Sequence, residues 1–189
     1  ITGVVDYNGS YDELELLIKE GGMVVKINKK EIKKLSDYIS KMNVILFSSD
    51  SIRIFKDSPS CRRKYFNIQI SQINKIYLAN LNNYNLVLRQ RNEFLKIINI
   101  NKESDMNYLD ILNDKYIGLS IVIYNFRRKY VDLVNKYIDG IFSSITGLEG
   151  LKMIYTSNVS NLDKDMFKDK LKSNLSREIQ YKITFIGPN

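Results

Sequence analysis

Two apolar stripes with helical spacing constrain the fold of this chain more than any other feature of its sequence. In each stripe apolar side chains recur every three or four positions, which places them on one face of an α-helix. The first stripe consists of Phe66, Ile70, Ile73, Tyr77, Leu81, Tyr84 and Leu88. The second consists of Leu112, Tyr116, Leu119, Ile123, Phe126, Tyr130, Leu133, Tyr137 and Ile141. We expect both stripes to be buried, and their tyrosines to pack in the core rather than stack on bases.

The residues around the stripes predict how these helices begin, break and pair. Ser58 and Pro59 suit the N-cap and the first position of a helix. Asn74 is expected to break the first stripe into two helices by capping the second. Residues 101–107 form a polar loop, and two long helices joined by a short loop pack antiparallel. The sequence therefore predicts a long antiparallel helical hairpin.

Short stretches with β-strand character lie on both sides of this helical region. Residues 1–32 predict an antiparallel meander with tight turns at Asn8-Gly9, Gly21-Gly22 and Asn28-Lys29. The apolar run NVILF at 43–47 predicts a buried strand, and strands are also expected at 151–157 and 182–189. The predicted fold class is α+β, a small antiparallel or mixed sheet with a large inserted α-helical lobe.

We expect three parts along the chain. Residues 1–57 hold the strands of the sheet and a short helix, and residues 58–148 form the helical insertion. Residues 149–189 form a strand, a helix and a strand that return to the sheet. Asp163 and Asp165 lie where the last helix begins, and acidic residues are favoured at that end of a helix.

The composition excludes several classes of function. The chain has no histidine and one cysteine, Cys61, which excludes His-based triads, thiolate zinc clusters and an internal disulfide. It has no GxxxxGK[ST] loop, so it cannot build a P-loop phosphate cradle by itself. We therefore expect no catalytic residue, no metal site and no complete enzyme in this chain. The single cysteine and the lack of an apolar run of about 20 residues predict a cytosolic protein.

Basic residues outnumber acidic ones, 29 against 21, and the formal net charge of +8 favours a polyanionic partner. Three clusters supply the candidate DNA contacts: Arg62, Arg63 and Lys64; Arg89 and Arg91; Arg127 and Arg128, followed by Lys129. On neighbouring helices such clusters would form one track for a phosphate backbone. The alternative is that each cluster is a solvated face or pairs with a local acid such as Glu93 or Asp132.

The first cluster occupies an electrostatically unfavourable position. Arg62, Arg63 and Lys64 fall in the first two turns of a predicted helix, where the helix dipole disfavours each cation by roughly a few tenths of a kcal/mol. An anion bound at this helix N-terminus would relieve the repulsion. That anion is either a phosphate or a carboxylate from another part of the protein.

Two motifs in the middle of the chain resemble the RecF family of bacterial recombination mediators, which have an ABC-type ATPase head. The first motif is NVILFSSDSIRIFKDSPSCRRKYFNIQISQI, in which Phe47-Ser48 and the acid Asp50 match the family. Ser49 replaces a proline of the family, and the segment from Asp57 to Ser60 replaces Gly-Ser-Pro-Ser. In YLANLNNYNLVLRQRNEFLK, Arg89 replaces a lysine, and the matching residues are Tyr84, Leu88, Gln90, Arg91 and Asn92. The segments KINKKEIKKLSDYISKMNVILF and TFIGP extend the resemblance over nearly the whole chain, although Asn189 stands where the family usually has histidine.

This resemblance implies the architecture of a longer protein. The sheet would be part of the ATPase head and the helices its second lobe. The phosphate-binding loop would lie upstream, with the signature motif and the Walker B carboxylate downstream. ATP and Mg²⁺ would bind the full-length protein, a weak ABC-type ATPase, and not this chain alone. Asp50 would occupy the lid-loop position that senses the nucleotide.

The same resemblance implies a function in DNA repair. The full-length protein would bind gapped or single-stranded DNA in an ATP-dependent way and form a homodimer with ATP. It would cooperate with RecR and RecO to load recombinase in recombinational repair, replication restart and the SOS response. The competing hypothesis is a structural or partner-docking helical arm that makes no contact with DNA.

Overall fold

The structure is a computed structural model, and it describes residues 1–7, 9–39, 41, 48, 53–159 and 163–188. This part of the chain contains the strands β1 Thr2–Tyr7, β2 Ser10–Lys19, β3 Gly22–Ile27 and β4 Lys30–Glu31. It also contains the helices α1 Leu35–Ile39, α2 Arg53–Lys56, α3 Pro59–Ile73, α4 Lys75–Phe94, α5 Glu103–Asn135, α6 Ile138–Thr146 and α7 Lys164–Tyr181. The predicted α+β class, with a small antiparallel sheet and a large helical part, is confirmed. The predicted strand at 43–47 lies outside the described residues.

The chain separates into two compact units, Ile1–Leu78 and Ala79–Asn189. The division falls inside α4, and the predicted boundaries after residues 57 and 148 stay predictions. Among the described residues, no helix combines the length and the apolar character that crossing a bilayer requires.

The first unit contains the predicted antiparallel meander, in the strand order β1-β2-β3-β4. Leu14 pairs with Ile27 and Leu16 pairs with Val25, so these four side chains lie on one face of the sheet. Leu14 and Val25 on that face are buried. The alternation of apolar residues in β2 and β3 therefore sets which face of the sheet is covered.

The turn between β3 and β4 is formed by Asn28 and Lys29, whose φ angles are 51° and 67°. Positive φ at both positions defines a type I′ turn, whose twist matches a two-residue hairpin. The Asn28 side chain fixes the turn, because its Oδ1 accepts from the Glu13 N–H at 2.8 Å and its Nδ2 donates to Asp12 at 2.8 Å. This predicted turn is confirmed.

The other two turns were predicted at Gly21-Gly22, which the structure describes, and at Asn8-Gly9, which it describes in part. Lys19 pairs with Gly22, which leaves Glu20 and Gly21 as the loop, one residue earlier than predicted. Asn8 lies outside the described residues, and its neighbour Gly9 has a φ of 89° that a residue with a side chain rarely adopts.

The helix break predicted at Asn74 is confirmed. The Asn74 Oδ1 accepts from the Tyr77 N–H at 2.8 Å, as an N-cap side chain does, and α4 begins at the next residue, Lys75. Most of the first stripe is buried or half-buried, but Ile73, the last residue of α3, is 57% exposed. The prediction for Ile73 is wrong because the phase of one helix does not continue through the break into the next.

The second unit contains the predicted antiparallel pair of helices, α4 and α5. The Tyr84 and Tyr116 rings stack with centroids 5.6 Å apart, and ten residues farther along α4 the Phe94 ring meets Tyr108 at 4.8 Å. From the first contact to the second, the residue numbers increase on α4 and decrease on α5, so the two helices run antiparallel. Helix α7 packs on α5, where Phe167 meets the Tyr116 ring edge-on at 6.1 Å. The antiparallel hairpin is confirmed.

The second stripe is buried over its first half only. Leu112, Tyr116 and Ile123 are buried, whereas Leu133 is 44% exposed and Tyr137 is 63% exposed. Ile141, in α6, is also exposed. The sequence predicts one continuous stripe, but α5 ends at Asn135 and α6 starts at Ile138, so the helical phase does not continue to Tyr137 and Ile141. Leu133 is already exposed in the last turn of α5.

The strands predicted at 151–157 and 182–189 are not formed by the described residues of these stretches, which are irregular. A strand needs a neighbouring backbone, and here side-chain amides take that place. The Asn135 side chain accepts from the Met153 N–H at 2.8 Å and donates to its carbonyl oxygen at 2.9 Å. In the same way Asn158 accepts from the Gly187 N–H and donates to the Phe185 carbonyl oxygen. These pairs satisfy the backbone groups that a sheet would otherwise bond.

Candidate nucleic-acid interface

The first predicted cluster lies at the start of α3, in the first unit. Ser58 occupies the N-cap with φ −62° and ψ 158°, and Pro59 is the first helical residue, as predicted. The Ser58 hydroxyl caps no backbone N–H, and it lies 2.6 Å from the Ser60 hydroxyl instead. The first turn of α3 contains no acidic residue. The positive end of this helix is therefore not compensated by a carboxylate of its own first turn.

The three cations of this cluster differ in their surroundings. Arg62 is half-buried, and its Nη1 donates to the main-chain carbonyl oxygen of Asp57 at 2.9 Å. Arg63 is half-buried and Lys64 is exposed, and neither forms a hydrogen bond or ion pair with another described residue. A backbone carbonyl thus stabilises Arg62, while Arg63 and Lys64 have no such partner among the described residues.

Arg89 and Arg128 are exposed side chains of the second unit. Arg89 lies on α4 and Arg128 on α5, and neither is paired with another described residue. Arg91 of α4 contacts Asn113 of α5. Arg128 lies about 15 residues farther along α5, so the two exposed arginines are separated by roughly 22 Å of helix. The hairpin places them along one pair of helices and does not bring them into one cluster.

Arg91 is a buried residue, contrary to the expectation of a surface contact. Its side chain is 0% exposed, and each guanidinium nitrogen has a protein acceptor. The Nε donates to Asn113 at 2.8 Å, Nη1 to the Thr184 hydroxyl at 2.7 Å and Nη2 to the Glu178 carboxylate at 2.7 Å. Since the side chain has no solvent exposure and each guanidinium nitrogen is bonded inside the protein, a phosphate cannot reach Arg91, which has a structural role here.

Arg127 is buried as well, with 5% of its surface exposed. Its Nη1 donates to the carbonyl oxygen of Pro188 at 2.6 Å and approaches the Tyr155 hydroxyl at 3.4 Å. The Tyr155 hydroxyl donates to the same Pro188 oxygen. Arg127 therefore holds the last described segment of the chain, and its neighbour Arg128 is the residue of this cluster that solvent reaches.

The positions of these arginines relative to the apolar stripes indicate which of them are buried and which are exposed. Arg91 lies seven residues after Tyr84, and Arg127 lies four residues after Ile123, so each continues a buried helical face. Arg89 and Arg128 lie off those faces. A helical projection that included the charged residues would have distinguished the two kinds of arginine.

The residues that complete the Arg91 site were not predicted. Glu178 of α7 is 0% exposed, and its second carboxylate oxygen accepts from the Phe185 N–H at 2.8 Å. The Asn92 Oδ1 accepts from both the backbone N–H and the hydroxyl of Thr184, at 2.9 and 2.7 Å. Arg91 and Asn92, which are adjacent in the second central motif, thus both bind the segment at Thr184. Only the fold brings Glu178 to them, from 87 residues away.

Tyr116 anchors the next part of that segment. Its hydroxyl donates to the Ile186 carbonyl oxygen at 2.8 Å and lies 3.4 Å from the Tyr84 hydroxyl. Burial raises the pKa of Tyr116 well above its usual range, and the neighbouring Tyr84 adds to the shift. Gly187 passes so close that a Cβ at this position would overlap the Tyr116 hydroxyl. The segment 184–188 is therefore fixed by side chains from three helices.

The residues present do not fit a nucleoside triphosphate by themselves. The chain has no GxxxxGK[ST] loop, and Asp50, the residue expected at a lid-loop position, lies outside the described residues. Among the residues that the structure describes, no group of three or more Cys, Asp and Glu side chains is arranged to hold a metal ion.

Comparison with known proteins gives relatives over the whole chain. The DNA replication and repair protein RecF of Listeria welshimeri is 34% identical over 194 residues, which covers 99% of this chain and 52% of the relative. RecF of Lactobacillus johnsonii is 35% identical over 186 residues, covering 94% and 50%. The chain thus spans about half the length of the relatives that it matches. No protein-family model matches it.

Solved structures give the same result for the fold. The recombination mediator protein RecF-ATPrS in the RecFOR pathway matches with a TM-score of 0.86 and 27% identity, covering 99% of this chain and 52% of that one. The RecF-ATP structure matches with a TM-score of 0.84. In fold the chain is similar to the recombination mediators. The relatives described here are all RecF proteins, and the resemblance inferred from the two central motifs is confirmed over the whole chain.

Proposed function

We propose that this chain is part of a RecF-like protein of DNA replication and repair that binds DNA at single-strand gaps. The observation that carries the proposal is the match to RecF over 99% of the chain, in sequence and in fold. The whole protein would bind DNA in an ATP-dependent way and help to load recombinase in recombinational repair, replication restart and the SOS response. It would act in the cytoplasm.

Within this chain we assign phosphate contact to the exposed or half-buried cations Arg62, Arg63, Lys64, Arg89 and Arg128. Such contacts neutralise the backbone without reading the sequence of bases, and they make affinity dependent on salt. Arg91 and Arg127 are omitted from this set because both guanidinium groups are buried against protein acceptors.

ATP with Mg²⁺, RecR, RecO and a second copy of the protein are the proposed partners of the whole protein. The support is that the similar solved structures are named for ATP, for an ATP analogue and for the RecFOR pathway. Asp50 is proposed to approach the nucleotide in the full-length protein. This chain by itself is not expected to bind ATP.

Fluorescence anisotropy of the chain with labelled gapped and single-stranded DNA, across a salt series, tests the DNA proposal. Log affinity should fall linearly with log salt, with a slope of about −4 to −5 if all five cations contact duplex phosphates. A folded sample that binds neither DNA at low salt would contradict the assignment of DNA contact to these residues.

The competing proposal is a structural or partner-docking helical arm without DNA contact. It is favoured by the burial of Arg91 and Arg127 and by the exposed apolar residues Leu133, Tyr137 and Ile141 near the end of the hairpin. The same anisotropy series separates the two, since the arm hypothesis predicts no salt-dependent DNA binding.

A further inference from the structure

The second unit carries an open groove of about 660 Å³ between α4 and α5, which reaches the first residue of α7. Its floor is apolar and includes Leu86 and Val87 of α4 and Leu119 and Val122 of α5. Leu86 is 48% exposed, so the groove presents aliphatic surface to solvent. None of the five proposed phosphate contacts lines it.

The rim of this groove is basic. Lys115 of α5 and Lys164 of α7 are exposed, and neither forms an ion pair or hydrogen bond with another described residue. Among the described residues that line the groove Asp114 is the one acid, and it lies 3.5 Å from the ammonium group of Lys168, which offsets its charge. Two ammonium groups without an ion-pair partner in the described part of the chain therefore lie beside an apolar floor. The N-terminus of α7 does not add to this positive charge, because Asp163 caps it by accepting from the Met166 N–H at 2.8 Å.

A glycine in the floor gives a second, independent indication of an occupant. Gly118 lies in the middle of α5, where glycine costs about 1 kcal/mol relative to alanine. Nothing lies within 4 Å of the position that its Cβ would occupy, so packing within the described chain does not require glycine there. The missing side chain keeps the groove open and allows another backbone to approach α5 closely.

We propose that this groove docks an acidic amphipathic segment of a partner protein, most simply a helix. The apolar side chains of the segment lie on the floor, and its carboxylates pair with Lys115 and Lys164. A helix laid in an apolar groove is a common mode of peptide recognition. A phosphate backbone would use the lysines but gains nothing from an apolar floor, which is why a peptide fits this surface better than DNA.

The test uses the whole chain and a fluorescein-labelled peptide of about 14 residues, with leucines at helical spacing on one face and glutamates elsewhere. Binding is measured by anisotropy. Two variants of the probe serve as controls, one with lysine in place of glutamate and one with serine in place of leucine. Both should bind at least about tenfold more weakly if charge and apolar contact are both needed.

Protein variants locate the site. Gly118→Leu fills the groove with a good helix former and should lower affinity for the peptide about tenfold or more while leaving the helical content unchanged. Gly140→Leu is the matched control, because Gly140 is also a helical glycine with open space and lies outside the groove. Lys115→Glu with Lys164→Glu should weaken binding similarly, and Lys129→Glu with Lys152→Glu should not.

Three results would overturn the proposal. The first is equal loss of peptide binding in the groove variants and their controls, and the second is no peptide binding by the unmodified chain. The third is a loss of DNA affinity in Lys115→Glu with Lys164→Glu while the peptide does not bind, which would make this face a phosphate surface. Since the peptide and DNA are measured separately, failure of this proposal is distinguishable from failure of the proposed DNA contact.

Discussion

The guanidinium group of Arg91 on α4 and the carboxylate of Glu178 on α7 lie 2.7 Å apart, and neither side chain has any solvent exposure. Desolvating two charges is costly, and their attraction offsets that cost only when the remaining donors and acceptors are also satisfied. Here Asn113 and Thr184 accept from the other two guanidinium nitrogens, and the Phe185 N–H donates to the carboxylate. The pair therefore links α4, α5 and α7 to the segment that follows α7.

Removing either partner of this pair should destabilise the second unit strongly. Arg91→Met or Glu178→Leu leaves an unpaired buried charge, and we expect a loss of about 3–5 kcal/mol in the free energy of unfolding. The double variant should recover part of that loss, because no charge is then left unpaired. Urea denaturation followed by circular dichroism measures all three. Additive losses in the double variant would show that the two side chains are not coupled.

Gly187→Ala should destabilise the chain through a clash with Tyr116. The new Cβ would overlap the Tyr116 hydroxyl, which is itself bonded to the Ile186 carbonyl oxygen and has little room to move. We expect a cost of about 1–3 kcal/mol, measured as a change in the free energy of unfolding. Tyr116→Phe removes the hydroxyl that the new Cβ would meet. The loss of stability caused by Tyr116→Phe should therefore be smaller in the Gly187→Ala variant than in the unmodified chain. A larger cost in the double variant would refute this explanation.

Arg62→Glu with Arg63→Glu should weaken DNA binding and make it less dependent on salt. Each removed phosphate contact should lower the slope of log affinity against log salt by about 1. Lys33→Glu with Lys34→Glu makes the same change in net charge in the same unit and is the matched control. Anisotropy with gapped DNA compares the two double variants. Equal effects would mean that net charge, and not the start of α3, determines the affinity.

The neighbours Arg127 and Arg128 should respond in opposite ways to substitution. Arg127→Met removes a buried donor to the Pro188 carbonyl oxygen and should cost about 1–3 kcal/mol of stability. Arg128→Ala changes an exposed side chain, so stability should stay within about 0.5 kcal/mol while DNA affinity falls. Paired denaturation and anisotropy measurements check both. A loss of DNA affinity for a stably folded Arg127→Met, with none for Arg128→Ala, would reverse the assignment.

The Asp12 carboxyl in the first unit should show a pH-dependent contribution to stability. Its pKa lies below the usual 3.8, first because Lys41 donates to it at 2.7 Å and then because Asn28 donates to it. A lowered pKa means that the contribution is present above about pH 3.8 and is lost as the pH falls further.

Lys41→Met removes the main cause of that shift, so the Asp12 pKa should rise towards its usual value. The measurement is an NMR titration of the Asp12 carboxyl carbon, with Asp105 as an internal reference. The pKa of Asp105 is lowered by the Asn99 backbone N–H and should not change. An unchanged Asp12 titration in Lys41→Met would show that the ion pair does not form in solution.

Local patterns in the sequence were sufficient to predict the main helices, their caps and one turn. The three- and four-residue spacing of apolar side chains fixes α3, α4 and most of α5, and Asn74 and Asp163 cap helices where a short polar side chain satisfies free N–H groups. The turn at Asn28-Lys29 also follows from local backbone preferences. The two central motifs were sufficient to identify the RecF resemblance, which the whole-chain comparison confirms.

Which cations face solvent, and which segments become strands, depends instead on how the helices pack. Arg91 and Arg127 are chemically the same as Arg89 and Arg128, but the packing of α4, α5 and α7 encloses the first pair and leaves the second exposed. Likewise 151–157 has strand character, and yet the Asn135 side chain, not a neighbouring strand, bonds its backbone. Burial and strand pairing depend on partners distant in sequence, and the free energy of a charged or backbone polar group depends on whether such a partner is present.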